Sequence, residues 1–302
     1  MQARLVTMRA VRIFQVDAFT DRPFTGNPAG VVLGAEQLSD AEMQAIAREL
    51  NNGDTAFVLP AASAAEDIHL RFFTPRKEAP FVGHATLAAH TVLNRHEPRP
   101  LRRQGGKTGV VEVRAGDGGL SIRQTAPPLG QKPADHELDE VLGLLGLARD
   151  QLDPACPAQL AGSASTRLLL GLRDRAALDA AKPQLQALAA LSPRIGAQGY
   201  FLFTRSPDAA TFTESRMFCP ALGIDEDPVS GNAHAMLGAY LKEHGLLHGQ
   251  QQRIRFAGAQ GRHVGRPGRV DVEVELGPDG RAIAVSIAGR AVILFEAELR
   301  LA

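Results

Sequence analysis

Arg71-Phe72-Phe73-Thr74-Pro75, followed by Pro80, Gly83 and Ala85, returns later in the chain as Arg216-Met217-Phe218-Cys219-Pro220, followed by Pro228, Gly231 and Ala233. The two copies are 145 residues apart at the arginines and 148 apart at the glycines, close to half of the 302-residue chain. In each copy a strand ends at a Pro turn, an acidic loop follows, and a glycine opens an Ala/Leu-rich helix. Six matches in one order point to an internal duplication, so two like halves are expected rather than one large core.

The helices opened by those glycines, His84-Ala-Thr-Leu-Ala-Ala-His-Thr-Val-Leu and Asn232-Ala-His-Ala-Met-Leu-Gly-Ala-Tyr-Leu, are nearly free of charge. A helix that is small or apolar all round is a buried one, so each half is expected to wrap a sheet about a central helix. The first N–H groups of such a helix lack intrahelical partners, and its dipole is positive at that end, which suits a carboxylate. Two such ends on one cleft between the halves would grip a small substrate from both sides.

Outward from the repeat, short alternating or apolar runs bounded by Gly, Pro and Asp read as strands. Among them are Val11–Phe19, Ala29–Leu33, Ala56–Leu59, Ile68–Phe73, Arg167–Leu172, Tyr200–Thr204, Thr211–Phe218, Val270–Leu276 and Ala291–Leu299. Helical patterns are fewer. Ser39–Asn51 opens with a Ser39/Glu42 capping box and is stopped by Gly53. Glu137–Leu147 is another, and Arg175–Leu191 is expected to break or restart at Pro183. Regular βαβ alternation is absent, so the fold class is α+β with mostly antiparallel sheets. The Pro-rich stretch Thr125–Pro133 reads as a linker. It divides the chain into an N-terminal half over 1–127, joined by the last strand 289–302, and a C-terminal half over 128–288. The basic stretch from Arg95 to Lys107 is broken by Pro and Gly and reads as a solvated loop.

Lys+Arg and Asp+Glu balance at 33 each, so no net field recruits nucleic acid or an anionic membrane. No apolar run approaches the ~20 residues of a membrane helix, and Met1 to Arg12 has no apolar stretch of a signal peptide. Two cysteines, Cys156 and Cys219, are too few for a disulfide framework. The expectation is a cytoplasmic protein with reduced thiols.

Three residues stand out as candidate catalytic groups, each with an ordinary alternative. Asp54, in Asn52-Gly53-Asp54-Thr55-Ala56, is either a turn aspartate capping its own backbone or a general acid/base raised in pKa by an apolar site. His84 is either a polar residue at a helix start or a hydrogen-bonding partner of a substrate carboxylate. Asp227, read as holding the corresponding place in the second copy, belongs with Ser230, Gly231 and Asn232 either to plain helix capping or to a shaped substrate loop. Other signals are weaker. Gly105-Gly106-Lys107-Thr108 lacks the first glycine of a phosphate loop, since Leu101 stands there. His244 and His248 have metal spacing but no acidic third partner, so no metal is expected. No Gly-x-Ser-x-Gly elbow occurs, and the cysteines read as packing residues.

Taken together, Val16-Asp17-Ala18-Phe19-Thr20, Pro23-Phe24-x-Gly26-Asn27-Pro28, Asp54-Thr55-Ala56-Phe57-Val58, Phe73-Thr74-Pro75 with Glu78, and Phe81-x-Gly83-His84-Ala85-Thr86-Leu87-Ala88 resemble the PhzF-like family of phenazine biosynthesis. So do Glu226-Asp227-Pro228-Val229-Ser230-Gly231-Asn232-Ala233 and Gly265-Arg266-Pro267, and the resemblance spans essentially the whole chain. It implies the diaminopimelate-epimerase-like fold, two pseudo-equivalent halves with barrel-like sheets around central helices, and a homodimer. It also implies a cofactor-independent biosynthetic isomerase. In the phenazine enzyme a carboxylate takes a proton from one carbon of a hydroxylated cyclohexadiene-type amino acid and returns it to another. On this chain the resemblance puts that role on Asp54, with His84 and Asp227 beside the substrate and Gly83, Ser230, Gly231 and Asn232 as substrate-binding residues.

Two positions depart from the family's pattern: its usual residue at Asp54 is Glu, and Ser is commoner than Asn232 after Gly231. Racemases of the same fold place a thiol at each helix start, where this chain has His84 and Ser230. The expected partner is therefore a small carboxylate-bearing substrate, with no cofactor, no nucleic acid and no membrane. Two other readings stay open at this point: a small-molecule-binding protein without turnover, and an amino-acid epimerase that does not use cysteines.

Overall fold

The strand Arg9–Ala18 shows how the chain builds two layers from a period of two. Phe14 and Val16 point to one side of the sheet and Val11 and Ile13 to the other, and all four are buried. A strand apolar on both faces must be covered on both faces. The computed structural model describes residues 9–163, 165–205, 211–247 and 252–301; His248 falls outside them.

In chain order the strands and helices are β1 (Arg9–Ala18), β2 (Asn27–Leu33), α1 (Asp40–Leu50), β3 (Asp54–Pro60), β4 (Ile68–Phe73), β5 (Glu78–Ala79), α2 (Gly83–His96), β6 (Leu101–Gly105), β7 (Val111–Gly116) and β8 (Gly119–Thr125). They continue as α3 (Asp135–Leu145), β9 (Gln159–Ala161), β10 (Arg167–Leu172), α4 (Arg175–Ala180), α5 (Leu185–Ile195), β11 (Tyr200–Arg205), β12 (Thr213–Phe218), α6 (Gly231–Glu243), β13 (Arg253–Gln260), β14 (Gly268–Leu276), β15 (Ala282–Gly289) and β16 (Ala291–Leu301). The chain divides into two compact units, Met1–Ile122 with Gly289–Ala302, and Arg123–Ala288.

In the first unit the strand order is β16-β1-β2-β3-β4-β6-β7-β8, with β2·β3 and β4·β6 parallel and β1·β16, β1·β2, β3·β4 and β6·β7 antiparallel. In the second it is β15-β14-β13-β12-β11-β10-β9, with β10·β11 and β12·β13 parallel and the remaining pairs antiparallel. Read from β1 and from β9, the alternation of pairings is the same. The duplication seen in the sequence is thus a duplication of topology, with β3 matching β11, β4 matching β12 and α2 matching α6.

One face of the first sheet packs on α2, where Phe14, Val16, Ala56, Val58 and Phe72 meet Ala85, Ala88, Ala89 and Val92. The other face packs on α1 through Ile13, Val32 and Phe57 against Met43, Ile46 and Ala47. The Ser39/Glu42 capping box that opens α1 is present as expected. In the second unit α3, α4 and α5 cover one face, with Leu168, Leu170, Leu172, Tyr200 and Leu202 beneath them. Phe201 and Phe203 point to the other face and pack edge-on against His234 and Tyr240 of α6. The helical pattern at Arg175–Leu191 resolves into α4 and α5, interrupted before and after Pro183.

Two expectations need correction. The stretch from Arg95 to Lys107 is not all solvated loop, because α2 runs to His96 and Leu101–Gly105 is the paired strand β6. Its inward residues are polar, which hid the alternation. Arg102 is satisfied by Asn94 Oδ1 at 2.8 Å and the Glu97 carbonyl at 2.9 Å, and Gln104 by His90 Nε2 at 3.0 Å and Thr86 Oγ1 at 3.4 Å. Strand β13 likewise lies outside the expected strands, because Arg-Ile-Arg-Phe-Ala-Gly-Ala-Gln has charged and small residues in place of an apolar run.

The buried Gln104 gives the first prediction. Gln104→Leu keeps the volume but strands His90 Nε2 and Thr86 Oγ1 without partners, at about 1–3 kcal/mol. Urea unfolding of the variant should show a loss in that range; an unchanged midpoint contradicts the pairing.

Candidate active site

In the first unit the site is set by strand parity. Asp54 opens β3 and shares its face with Ala56 and Val58, the face covered by α2. Its neighbour across the parallel pair is Ala29 of β2. The carboxyl is therefore directed at the start of α2, where His84 is the second residue. His84 Nε2 lies 3.7 Å from Asp54 Oδ2, within ion-pair distance and just beyond a hydrogen bond. Both side chains are about nine-tenths buried, at 11% exposure each. His84 Nε2 has no hydrogen-bond partner among the described residues.

Burial pushes the His84 imidazole down from 6.5 to about 4, so it is neutral at pH 7. The Asp54–His84 contact is then one between a carboxyl group and a neutral ring rather than two full charges. The helix start beside it is uncapped: Val82 offers no side-chain acceptor, and the first turn carries no acidic residue. A neutral imidazole thus stands beside the buried Asp54 carboxyl at the positive end of a helix whose first turn has no side-chain cap.

In the second unit α6 begins at Gly231, and Ser230 caps it by accepting from the Ala233 N–H at 3.3 Å. The capping role anticipated for this loop is therefore present. The loop before it is held at two points by Gln260. Its Oε1 accepts from the Ser230 N–H at 3.0 Å, and its Nε2 donates to the Asp227 carbonyl at 2.6 Å. The Asp227 N–H in turn donates to the Met217 carbonyl at 2.8 Å. Gly261, at φ 92°, leaves room for this packing, since a β-carbon there would lie 2.7 Å from the Pro228 carbonyl. Asp227 is not the counterpart of His84: both helices begin at their glycine, so His84 matches Asn232, and Asp227 lies four residues before its helix.

The same device fixes the loop before each helix. Arg71 Nε and Nη2 grip Glu78 at 2.8 and 3.0 Å, and Arg216 Nε and Nη2 grip Glu226 at 3.0 and 2.8 Å. Each arginine also lies over the phenylalanine two residues on, 5.1 Å from Phe73 and 4.9 Å from Phe218. Each glutamate stands five residues before the helix-opening glycine. Both arginines belong to the sequence repeat, and a Glu five residues before each helix-opening glycine marks their partners. Gln260 carried no signal at all.

Among the described residues no group of His, Cys, Asp and Glu could hold a metal ion, and no helix is long and apolar enough to cross a membrane. Both thiols are pushed up to about 12, chiefly by burial, so they are protonated at neutral pH.

Sheets wrapped about central helices, each helix starting at a polar cluster, define the diaminopimelate-epimerase-like fold. The sequence profile of the phenazine biosynthesis-like proteins matches residues 16–297, and the chain belongs to that family, whose members are isomerases. The chain is 41% identical over 293 residues to the uncharacterized isomerase YddE of Salmonella typhimurium, covering 95% of this chain and 97% of that protein. It is 31% identical over 281 residues to the trans-2,3-dihydro-3-hydroxyanthranilate isomerase of Pseudomonas chlororaphis, covering 92% and 95%. The crystal structure of a PhzF-family protein from Bacillus anthracis superposes with a TM-score of 0.85 at 27% identity, covering 96% and 99%.

The buried imidazoles set an acid limit on stability. His84, His90 and His234 are each lowered from 6.5 to about 4 by burial. The unfolded chain binds these protons more readily, so the contribution is fully present above pH 6.5 and is lost as pH falls toward 4. At ~1.4 kcal/mol per tenfold change, each ring is worth on the order of 3 kcal/mol. Urea midpoints measured from pH 7 to 5 should fall steeply; a flat profile contradicts neutral buried rings.

Proposed function

We propose that this isomerase moves a proton within a small cyclic amino acid or hydroxy-carboxylate, and that Asp54 is the group that takes and returns it. The observation that carries the reading is the buried Asp54 carboxyl, 3.7 Å from a neutral His84 at an uncapped helix start. As carboxylate, Asp54 removes a proton from a substrate C–H bond, and the electron pair stays on the substrate, spread through its adjacent double bonds. As carboxylic acid, it then delivers that proton to a different carbon. The oxidation level of the substrate is unchanged, so the step needs no electron acceptor.

His84, neutral, orients the substrate by hydrogen bonding without competing for the proton. Asp227 would assist orientation from the loop held by Gln260, and the N–H groups at Gly83, Gly231 and Asn232, with Ser230, would bind the substrate carboxylate. The isomerase relative acts on a hydroxylated dihydroanthranilate, which has the carboxylate and the conjugated ring that this chemistry requires. Asp in place of the longer Glu sets the carboxyl back by about 1.5 Å, roughly one C–C bond. A substrate that reaches further toward β3 than the phenazine precursor is therefore favoured. A cytoplasmic homodimer belongs to the same proposal.

The test is conversion in deuterated water, starting with trans-2,3-dihydro-3-hydroxyanthranilate and extending to small cyclic amino acids, followed by NMR and mass spectrometry. The reading expects an isomerised product, with carbon-bound deuterium only to the extent that protonated Asp54 exchanges with solvent before it returns the proton. A substrate labelled with deuterium at the carbon that loses its proton should carry part of that label to the new carbon in ordinary water, and transfer of the label undiminished by Asp54→Asn contradicts the reading. Deuterium at an α-carbon with loss of optical activity would establish epimerisation instead, and binding without exchange a non-catalytic protein.

A further inference from the structure

The matched topologies allow the position of Asp54 to be located in the second unit. Thr55 pairs with Phe73 across β3·β4, and Tyr200 pairs with Phe218 across β11·β12. The residues before them, Asp54 and Gly199, therefore correspond. Gly199 has the same parity as Phe201 and Phe203, which face α6 at His234 and Tyr240. Strand and helix run in the same direction there. Two residues back from Phe201 is about 6.6 Å along a strand, or roughly four residues of helix. That brings Gly199 level with Ser230 and Gly231, as Asp54 is level with Gly83 and His84.

The missing side chain is replaced from the neighbouring strand. A β-carbon at Gly199 would collide with the Cys219 sulfur and come within 3.0 Å of Arg167 Cδ. Arg167 opens β10 on the face opposite Leu168 and Leu170, the face that α6 covers. It is 6% exposed. Its Nη1 donates to the Thr166 carbonyl at 2.9 Å, and its Nε is buried with no partner. No carboxylate lies within 4.0 Å of it among the described residues. Asp227, on the loop that leads into α6, and Arg167 both act electrostatically on Cys219. An unpaired buried guanidinium is costly, and its planar donors are shaped for a carboxylate.

We propose that Arg167 is a substrate-binding residue that holds the carboxylate of the substrate at the start of α6, in the place that Asp54 occupies in the other copy. Duplication then gave two equivalent positions opposite chemistry: a carboxyl to move the proton in one, a guanidinium to hold the anion in the other. The inference rests on the proposed carboxylate-bearing substrate, but it does not need Asp54 to be the proton carrier.

Anthranilate, benzoate, formate and sulfate serve as probes, up to roughly 50 mM against chloride, with Tm and direct titration as readouts on the full chain. At least one carboxylate should raise the Tm of the wild type. Arg167→Met should weaken its binding at least ~10-fold and abolish the increment, Arg167→Lys should retain part of both, and Asp54→Asn should bind within ~3-fold of wild type. The basal Tm of Arg167→Met should be unchanged or higher, because an unpaired buried charge is removed; a purely structural arginine would lower it. The proposal is overturned if no anion stabilises the wild type, or if Arg167→Met binds the probes as the wild type does. Loss of anion binding in Arg167→Met with full turnover in Asp54→Asn would overturn only the proton-carrier reading.

Discussion

A helix enclosed on every side still has to begin, and its first N–H groups then open into protein rather than water. In α2 nearly every residue from Ala85 to Val92 is buried, and in α6 the same holds from Ala233 to Leu241. The donors at these starts need an acceptor, and the loops leading into them need to be fixed, because a frayed entry would flood the interior. The two Arg–Glu pairs meet the second need, each bidentate and each backed by an aromatic ring. Ser230 meets part of the first need in α6, while the α2 start has no side-chain cap. Much of the remaining architecture, two sheets apolar on both faces with outer helices covering them, is what it takes to enclose such a helix twice.

The same enclosure sets the chemistry. Removing a group from water disfavours its charged form, so His84 is neutral where an exposed histidine would be partly charged. The two cysteines are held as thiols, which takes them out of consideration as bases at neutral pH. In the proposed reaction a neutral His84 beside Asp54 can hold the substrate without competing for its proton, and burial is what keeps that ring neutral.

Much of this was legible in the sequence because duplication repeats its signals. The Arg-x-Phe-x-Pro strand ends, the glycines at 83 and 231 and the uncharged helices after them predicted two like halves, and both helices begin at those glycines. Family resemblance supplied the fold and the isomerase class. What periodicity does not reveal is polar and inward-facing: Arg102 and Gln104 on β6, and Gln260 at the end of β13. Hydrophobic periodicity is blind to a strand whose buried side is satisfied by hydrogen bonds, since the signal it seeks is replaced by partners far away in sequence. The pairing of His84 with Asp227 as counterparts also failed, because spacing from the helix start, not order along the motif, decides equivalence.

The proposed chemistry turns on Asp54 as the proton carrier, and the turnover number of Asp54→Asn tests that most directly. The substitution preserves shape and removes only the ability to take and return a proton. With a substrate that the wild type converts, kcat should fall by at least ~100-fold while the variant stays folded and its KM changes little. Full activity in Asp54→Asn would contradict the claim and place the proton elsewhere.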